Sequence, residues 1–328
     1  MAEWKEYELN QICSRLSSGK GLPAKKISDS GKYPVYGGNG LRGYTETANF
    51  EGDCAIIGRQ GAYCGNVRYF SGTAYMTEHA VVTCANENNN TRYLSYLLST
   101  MNLGRLSGQS AQPGLSVKTL GKQVVKVPPL TIQNKIVSIL AALDTKIEDN
   151  EKINKNLEQQ AQTIYQQMFI DNPYSDWIEG SLSDIADITM GQSPSGSSYN
   201  EDGIGTIFFQ GRAEFGFRFP TIRLYTTEPK RMACANDTLM SARAPVGDIN
   251  VAHTDCCIGR GLAAIHSKTN HQSFVLYTMY SLKKQLDVFN GEGTVFGSIN
   301  RNSLNDMPIL IPSDEAINEF ERIVAPMD

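Results

Sequence analysis

Two stretches of this chain repeat one another at a nearly fixed spacing, which limits it to folds built from two like domains. Asp53, Arg59, Asn66, Val67, Leu120, Val125, Pro128, Ile136 and Ile139 recur 184 residues later as Asp237, Arg243, Asn250, Val251, Leu304, Ile309, Pro312, Phe320 and Ile323. Upstream the spacing is 173, with Trp4, Leu9 and Ile12 answered by Trp177, Leu182 and Ile185. The second copy therefore carries a net insertion of about eleven residues before Asp237. Solenoid units run to roughly 20–50 residues, so the repeat is a duplicated domain and points to a duplicated binding role.

The 328 residues suffice for two domains with their own cores and a connector. No apolar run approaches the roughly 18 residues of a membrane span, and the opening Met-Ala-Glu-Trp-Lys lacks signal-peptide character. A cytoplasmic location is expected, with no membrane partner. The seven cysteines form no Cys-x-x-Cys pair or zinc-type cluster, which reads as free thiols in a reducing compartment. The net charge of −4 is uneven. Residues 1–130 carry 14 Lys/Arg against 9 Asp/Glu, residues 131–175 carry 4 against 6, and residues 176–328 carry 12 against 19. Only the first copy hints at the basic footprint of a nucleic-acid binder.

Each copy opens on a Trp and an apolar stretch, passes through a Gly/Ser/Pro-rich segment, and continues in short strand-like runs broken by glycine. A helical stretch follows (Tyr93 to Asn102; Phe274 to Phe289), then an apolar strand ending in proline (Val124 to Pro129; Met307 to Pro312). Residues 131–169 contain no Gly or Pro, and Ile136, Leu143, Asn150, Leu157 and Ile164 stand seven apart. Ile139, Leu140, Ile147, Ile153 and Met168 flank that stripe. The pattern predicts a helix of about 38 residues, about 57 Å long, with a coiled-coil-like seam that calls for a helical partner. A second such helix begins near residue 315, but the chain ends at Asp328, so the second long helix is expected to be absent or truncated.

The expected fold class is α/β (α+β): two similar domains of mixed β-sheet and short helices joined by a long helix. The domains run 1–130 and 171–312, with the spacer helix at 131–170 and the start of a second helix at 313–328.

Tyr36-Gly37-Gly38-Asn39-Gly40 and Ile57-Gly58-Arg59-Gln60-Gly61 are glycine-rich loops bearing side chains that can pair with base edges, while glycine lets backbone approach phosphate. Taken alone they read more readily as ordinary hairpin turns. Arg59 and Arg243 stand at equivalent places; each either pairs with a core acid (Asp53, Asp237) or faces DNA, and the sequence weighs the two evenly. Asp171-Asn172-Pro173-Tyr174 lacks the second proline and the context of an amino-methyltransferase signature, and reads as a helix-ending turn. The four histidines are scattered, and no phosphate loop, dinucleotide fingerprint or nucleophile elbow is present.

With these residues in view the chain resembles the specificity subunit of type I restriction–modification systems. The resemblance rests on Trp4-Lys-Glu-Tyr-Glu-Leu9-Asn-Gln-Ile12, Tyr36-Gly-Gly-Asn-Gly40, Ile57-Gly-Arg-Gln-Gly-Ala-Tyr-Cys-Gly-Asn-Val67 and Cys257-Ile-Gly-Arg-Gly-Leu-Ala263. Its most specific piece is the junction Val127-Pro-Pro-Leu-Thr-Ile-Gln-Asn-Lys-Ile-Val137 with the long helix behind it. The resemblance implies a non-catalytic subunit whose two target-recognition domains each read half of an asymmetric, bipartite sequence in double-stranded DNA. It also implies a spacer helix that fixes the gap, methyltransferase subunits that bring S-adenosylmethionine, and a restriction/translocase subunit. No cofactor or metal is expected in the chain itself.

The candidate DNA-reading residues are Lys20, Asn39, Arg42, Arg59 and Gln60 in the first copy, and Gln192, Arg212, Arg218 and Arg243 in the second. Ile136, Leu143, Asn150, Leu157 and Ile164 are the candidate partner-packing positions, and self-association through an uncovered stripe is expected. The alternative is a truncated specificity subunit acting as an interaction scaffold or a dimerising form.

Overall fold

The computed structural model describes residues 3–107, 114–291 and 297–328. The chain divides into two compact units, Met1–Asp149 and Asn150–Asp328, and the boundary falls inside the long helix.

In the first unit, β1 (Lys5–Glu8), β2 (Cys13–Ser18), β3 (Tyr33–Gly37), β4 (Gly40–Thr45), β5 (Phe50–Gly58), β6 (Val67–Met76) and β7 (Ala80–Ala85) precede α1 (Thr91–Ser99), α2 (Val117–Gly121) and β8 (Val124–Val127). β2-β7-β5-β6-β3-β4 form one six-stranded sheet, antiparallel except for β3 against β6, and β1 pairs with β8. Alternation along β5 sorts the core: Ala55 and Ile57 face Leu94, Leu98 and Leu120, whereas Cys54 and Ile56 face Phe50, Met76 and Val82. Short polar caps start the helices. Asn90 accepts from Tyr93 N, and Ser116 from Thr119 N.

The long helix α3 (Leu130–Tyr165) continues as a π turn to Asp171, where Asn172 Nδ2 donates to Gln167 O (2.9 Å) and Pro173 prevents continuation. The Asp171–Tyr174 segment is thus the end of the helix. The second unit holds β9 (Ile178–Ser181), α4 (Leu182–Ile185), β10 (Ala186–Met190), β11 (Tyr199–Asn200), β12 (Thr206–Phe209), β13 (Leu224–Thr226), β14 (Met232–Ala233), β15 (Thr238–Ser241), β16 (Ile249–Val251), β17 (Cys256–Ile258) and β18 (Leu262–Ser267). After them come α5 (Gln272–Ser281), α6 (Lys283–Asp287), α7 (Arg301–Asn305), β19 (Pro308–Ile311) and α8 (Asp314–Val324). Its sheets run β10-β18-β15-β16 and β11-β13-β12-β17-β14, and β19 pairs with β9.

The repeat is a repeat of registers. Lys5 pairs with Val127 and Glu8 with Val124; Ile178 pairs with Ile311 and Ser181 with Pro308, the same pairs displaced by the two sequence spacings. α2 and α7 begin 184 residues apart, as do α3 and α8.

The Pro-Pro-Leu-Thr-Ile-Gln junction has a specific physical job. Gln133 is buried at the first turn of α3, where its Nε2 donates to Asn89 Oδ1 (2.8 Å) and Pro128 O (2.9 Å). Its Oε1 accepts from Asn90 N (2.9 Å), so one side chain ties the incoming strand, the cap of α1 and the long helix together. In the second copy the equivalent place is the buried Ile317. Glu321 supplies the acceptor there instead, for Ser273 N (3.2 Å) and Phe274 N (3.1 Å) at the start of α5.

Both ends of α3 are packed. Ile136 lies against the first core, Arg92 Nη2 reaches Asp144 (3.1 Å) and Tyr96 Oη donates to the same carboxylate. At the far end Tyr165 and Phe169 join Phe274 and Phe320, with ring centroids 5.1 Å (Phe169–Phe274) and 5.3 Å (Phe169–Phe320) apart, and Ile164 packs beside them. Between these ends Ile139, Leu143, Ile147, Asn150 and Ile153 are exposed and Leu157 is half-buried. The central part of the predicted seam is therefore uncovered in this chain. Among the described residues no helix is long and apolar enough to cross a membrane. All seven cysteines are free thiols, and burial pushes Cys13, Cys54 and Cys256 up to about 12.

Gln133→Ala, which strands Asn90 N and removes the contacts to Asn89 and Pro128, is expected to cost about 1–3 kcal/mol, read by urea unfolding of the first unit's transition. Phe320→Ala is expected to cost about 3–5 kcal/mol, whereas Ile147→Glu on the open stretch of α3 is expected to stay within about 0.5 kcal/mol.

Candidate nucleic-acid interface

At one end of the first unit's main sheet the glycine-rich loops meet around the turn Thr77-Glu78-His79 between β6 and β7. Gly19 N donates to Ala80 O (3.0 Å), Lys20 N to Met76 O (2.9 Å), Thr77 N to Tyr36 O (2.9 Å) and Arg59 N to His79 O (3.0 Å). The turn closes on itself through Ala80 N to Thr77 O (3.0 Å), and Leu115 N donates to Arg59 O (2.8 Å). Glycine is required by proximity. A Cβ on Gly19 would lie 2.1 Å from Met76 O, and one on Gly38 would lie 2.9 Å from His79 O.

The second unit builds the same frame. Gly191 N donates to Leu262 O (2.9 Å), Gln192 N to Ile258 O (3.0 Å), Gly259 N to Phe209 O (2.8 Å) and Ala242 N to Gly261 O (2.8 Å). Leu262 N to Gly259 O (2.9 Å) closes this turn, and Ile299 N donates to Ala242 O (3.1 Å). A Cβ on Gly191 would meet Gly259 O at 2.2 Å. The second site is thus the first one redrawn with other side chains.

This frame makes Lys20 and Gln192 structural equivalents. It also corrects one equivalence read from the spacing. The amide that donates into the turn belongs to Arg59 in the first unit and to Ala242 in the second, so Arg243 answers Gln60 rather than Arg59. The isolated bridges agree, Gln60 with Gly114 and Arg243 with Ser298. The spacing across this segment is 183, one less than the repeat of 184.

Neither arginine pairs with the suggested acid. Arg59 Nε donates to Leu115 O (3.3 Å) and Nη1 to Ser18 Oγ (3.2 Å), which binds three segments together. Asp53 is exposed on β5. Asp237 is buried and accepts from Cys234 N (2.8 Å) with one oxygen, while the other lies 2.5 Å from His266 Nδ1. The thiol of Cys234, the carboxylate of Asp237 and the imidazole of His266 offer ligand atoms within 4.8 Å of one another. Both carboxylate oxygens are already engaged in hydrogen bonds that explain the burial without an ion.

Of the other candidates, Asn39 and Arg42 are exposed on the β3–β4 hairpin, and a Cβ on Gly37 would strike Arg42 Cδ at 2.7 Å, so the arginine lies across that glycine. Gln60 is exposed, its Oε1 2.8 Å from His79 Nδ1. Arg212 sits in the loop after β12 and pairs with Asp248 (2.6 Å). Arg218 lies away from the frame. Its side chain is 13% exposed, with Glu158 at 3.9 Å and Asp328 in direct contact, so its charge is used inside the second unit. Glu78, His79 and Arg260, which reasoning from sequence did not single out, occupy the turn itself. The signal was present in Ile258-Gly-Arg-Gly-Leu262, but only the hydrogen-bond frame aligns it with Met76-Thr-Glu-His-Ala80.

Gly19→Ala and Gly191→Ala each force a methyl group into the carbonyls of the turn. Each is expected to cost upward of about 1–3 kcal/mol, seen as a lowered thermal midpoint, and Gly196→Ala, with open space at its Cβ, is the neutral control.

Comparison with known proteins places this architecture. Residues 1–159 match the family described as type I restriction modification DNA specificity domain. The MjaX type I restriction enzyme specificity subunit of Methanocaldococcus jannaschii is 29% identical over 357 aligned positions, covering 94% of this chain and 83% of that one. The EcoprrI specificity subunit of Escherichia coli is 39% identical over 147 residues, 44% of this chain and 36% of its own length. The crystal structure of the type I restriction–modification S subunit from M. genitalium superposes with a TM-score of 0.70 at 15% identity, covering 100% of this chain and 90% of that one, a likeness of fold. Residues 1–159 thus match the type I restriction modification DNA specificity domain, and the chain is similar over nearly its whole length to a type I restriction enzyme specificity subunit.

Proposed function

We propose that the chain is a sequence-specific DNA-recognition subunit in which each unit reads one half of a bipartite, asymmetric target. The observation that carries this reading is the shared loop frame with unlike side chains. Lys20 stands where the second unit has Gln192, and Gln60 where it has Arg243. A duplicated frame that kept its residues would read one sequence twice. A frame whose exposed residues differ in charge and hydrogen-bonding capacity reads two sequences.

In this reading Lys20, Asn39, Arg42, Gln60, Gln192 and Arg243 face the groove, where amides and guanidinium groups pair with base edges and lysine contributes phosphate attraction. Arg59 acts beneath them as the tie between loops. Arg212 holds Asp248, and Arg218 braces the second unit. The chain performs no chemistry of its own. Methyltransferase subunits supply S-adenosylmethionine and adenine methylation, and a restriction/translocase subunit supplies cleavage. The open middle of α3, from Ile139 to Ile153, is the surface those partners or a second chain would cover.

The test is to co-express the chain with its cognate methyltransferase subunit and to sequence the host DNA for adenine methylation. Two unlike short halves around a fixed unspecified gap are expected. A palindromic motif would mean one unit read twice in a chain dimer. No new methylation from a complex that forms and binds duplex DNA would overturn the reading. Lys20→Ala and Arg42→Ala are each expected to weaken binding and to flatten the salt dependence, with the slope falling by about one if one phosphate contact is lost.

A further inference from the structure

The turn at the centre of each frame places one residue, the second of its loop, at an equivalent point in both units. In the first unit it is Glu78 and in the second Arg260, since Met76 and Ala80 hold the places of Ile258 and Leu262 in five matching backbone hydrogen bonds. We propose that these two residues are specificity determinants: Glu78 accepts from the amine of a cytosine, and Arg260 donates to the acceptor edge of a guanine. The proposal rests on the DNA-reading function above and assigns two further reading positions within it.

The charge reversal is the core of the argument. A position that touches the DNA backbone meets phosphate in both half-sites, so its side chain would be cationic or neutral in both units. Base edges differ between half-sites, and only a base edge makes an acid favourable at one place and an arginine at its counterpart. A residue held by its own protein would show internal partners. Arg260 is exposed, its guanidinium enters no ion pair among the described residues, and only its backbone is fixed, by Arg260 N to Ser193 Oγ (3.2 Å). Glu78 has a side chain 46% exposed, and the one ion-pair contact found for it among the described residues is to His79 Nε2 at 3.4 Å.

One oxygen of Glu78, Oε2, is enclosed and receives no hydrogen bond from the described residues, and its other oxygen makes only the long contact to His79. Turning the carboxylate outward therefore breaks nothing strong, while leaving Oε2 where it is keeps an acceptor without a donor. His79 bridges Gln60 and Glu78, with Nδ1 2.8 Å from Gln60 Oε1, so the acid is placed beside a residue already assigned to reading. The turn beneath is pinned, because three segments, at residues 19–20, 36 and 59, donate or accept at its backbone. A carboxylate or guanidinium on such a base is held for a base edge without further ordering of the loop.

The experiment is the methylation assay with Glu78→Gln and Arg260→Lys, each beside the unaltered chain and each checked for an unchanged thermal midpoint. The unaltered chain giving a bipartite motif establishes the underlying reading independently. Glu78→Gln is then expected to relax or change one C·G position in one half-motif, by about tenfold or more in relative methylation, and to leave the other half intact. Arg260→Lys is expected to do the same at one G·C position of the other half. An unchanged motif in both variants overturns the proposal while the reading stands. So does a uniform loss of methylation with no altered position, which is what a structural role predicts. A relaxed position that specifies A or T overturns the assignment of bases. Absence of any motif from the unaltered chain removes the reading and the proposal together.

Discussion

The structure depends on a pair of backbone amides donated into a tight turn. In the first unit these are Gly19 N and Lys20 N, in the second Gly191 N and Gln192 N, and in each they fix the loop after a strand to the turn that precedes its paired neighbour. Because the contacts are backbone to backbone, side chains at the same positions are free to differ. The glycines are what this closeness demands, since a methyl group at Gly19 or Gly191 would overlap a carbonyl oxygen. The unlike character of the two units follows from a scaffold that specifies backbone and leaves the exposed atoms open.

The same economy appears at the junction with the long helix. In the first unit Gln133 satisfies the amide of Asn90 and two further groups, while in the second unit Ile317 fills the space and Glu321 takes over the amides of α5. A buried donor must be met in both copies, but the residue that meets it can move by one turn of helix. The aromatic cluster of Tyr165, Phe169, Phe274 and Phe320 then anchors the far end of α3 by apolar burial, and the stretch from Ile139 to Ile153 is left to water in this chain.

Much of this architecture was legible in the residues. Two spacings, 173 and 184, foretell the registers of β1 with β8 and of β9 with β19, because a strand pair carries its alignment wherever both strands are copied. The long helix was readable from the absence of Gly and Pro and from a seven-residue stripe. The sites were less so. Arg243 was matched to Arg59 because a spacing of 184 joins them, whereas the loop has lost one residue and pairs Arg243 with Gln60. Arg218 looked like a loop cation, and no local pattern announces that Glu158 and Asp328 enclose it. Glu78 and Arg260 escaped notice for a different reason. Opposite charges conceal an equivalence that is written only in backbone hydrogen bonds.

The most direct test of one frame serving two readers is amide hydrogen exchange on the complex with its methyltransferase, with and without a duplex carrying the methylated motif. The account predicts that the duplex slows exchange at residues 19–21, 58–60 and 77–80 and at their counterparts 191–193, 241–243 and 259–262. Protection in one set only, or protection confined to other segments of the two units, would contradict it.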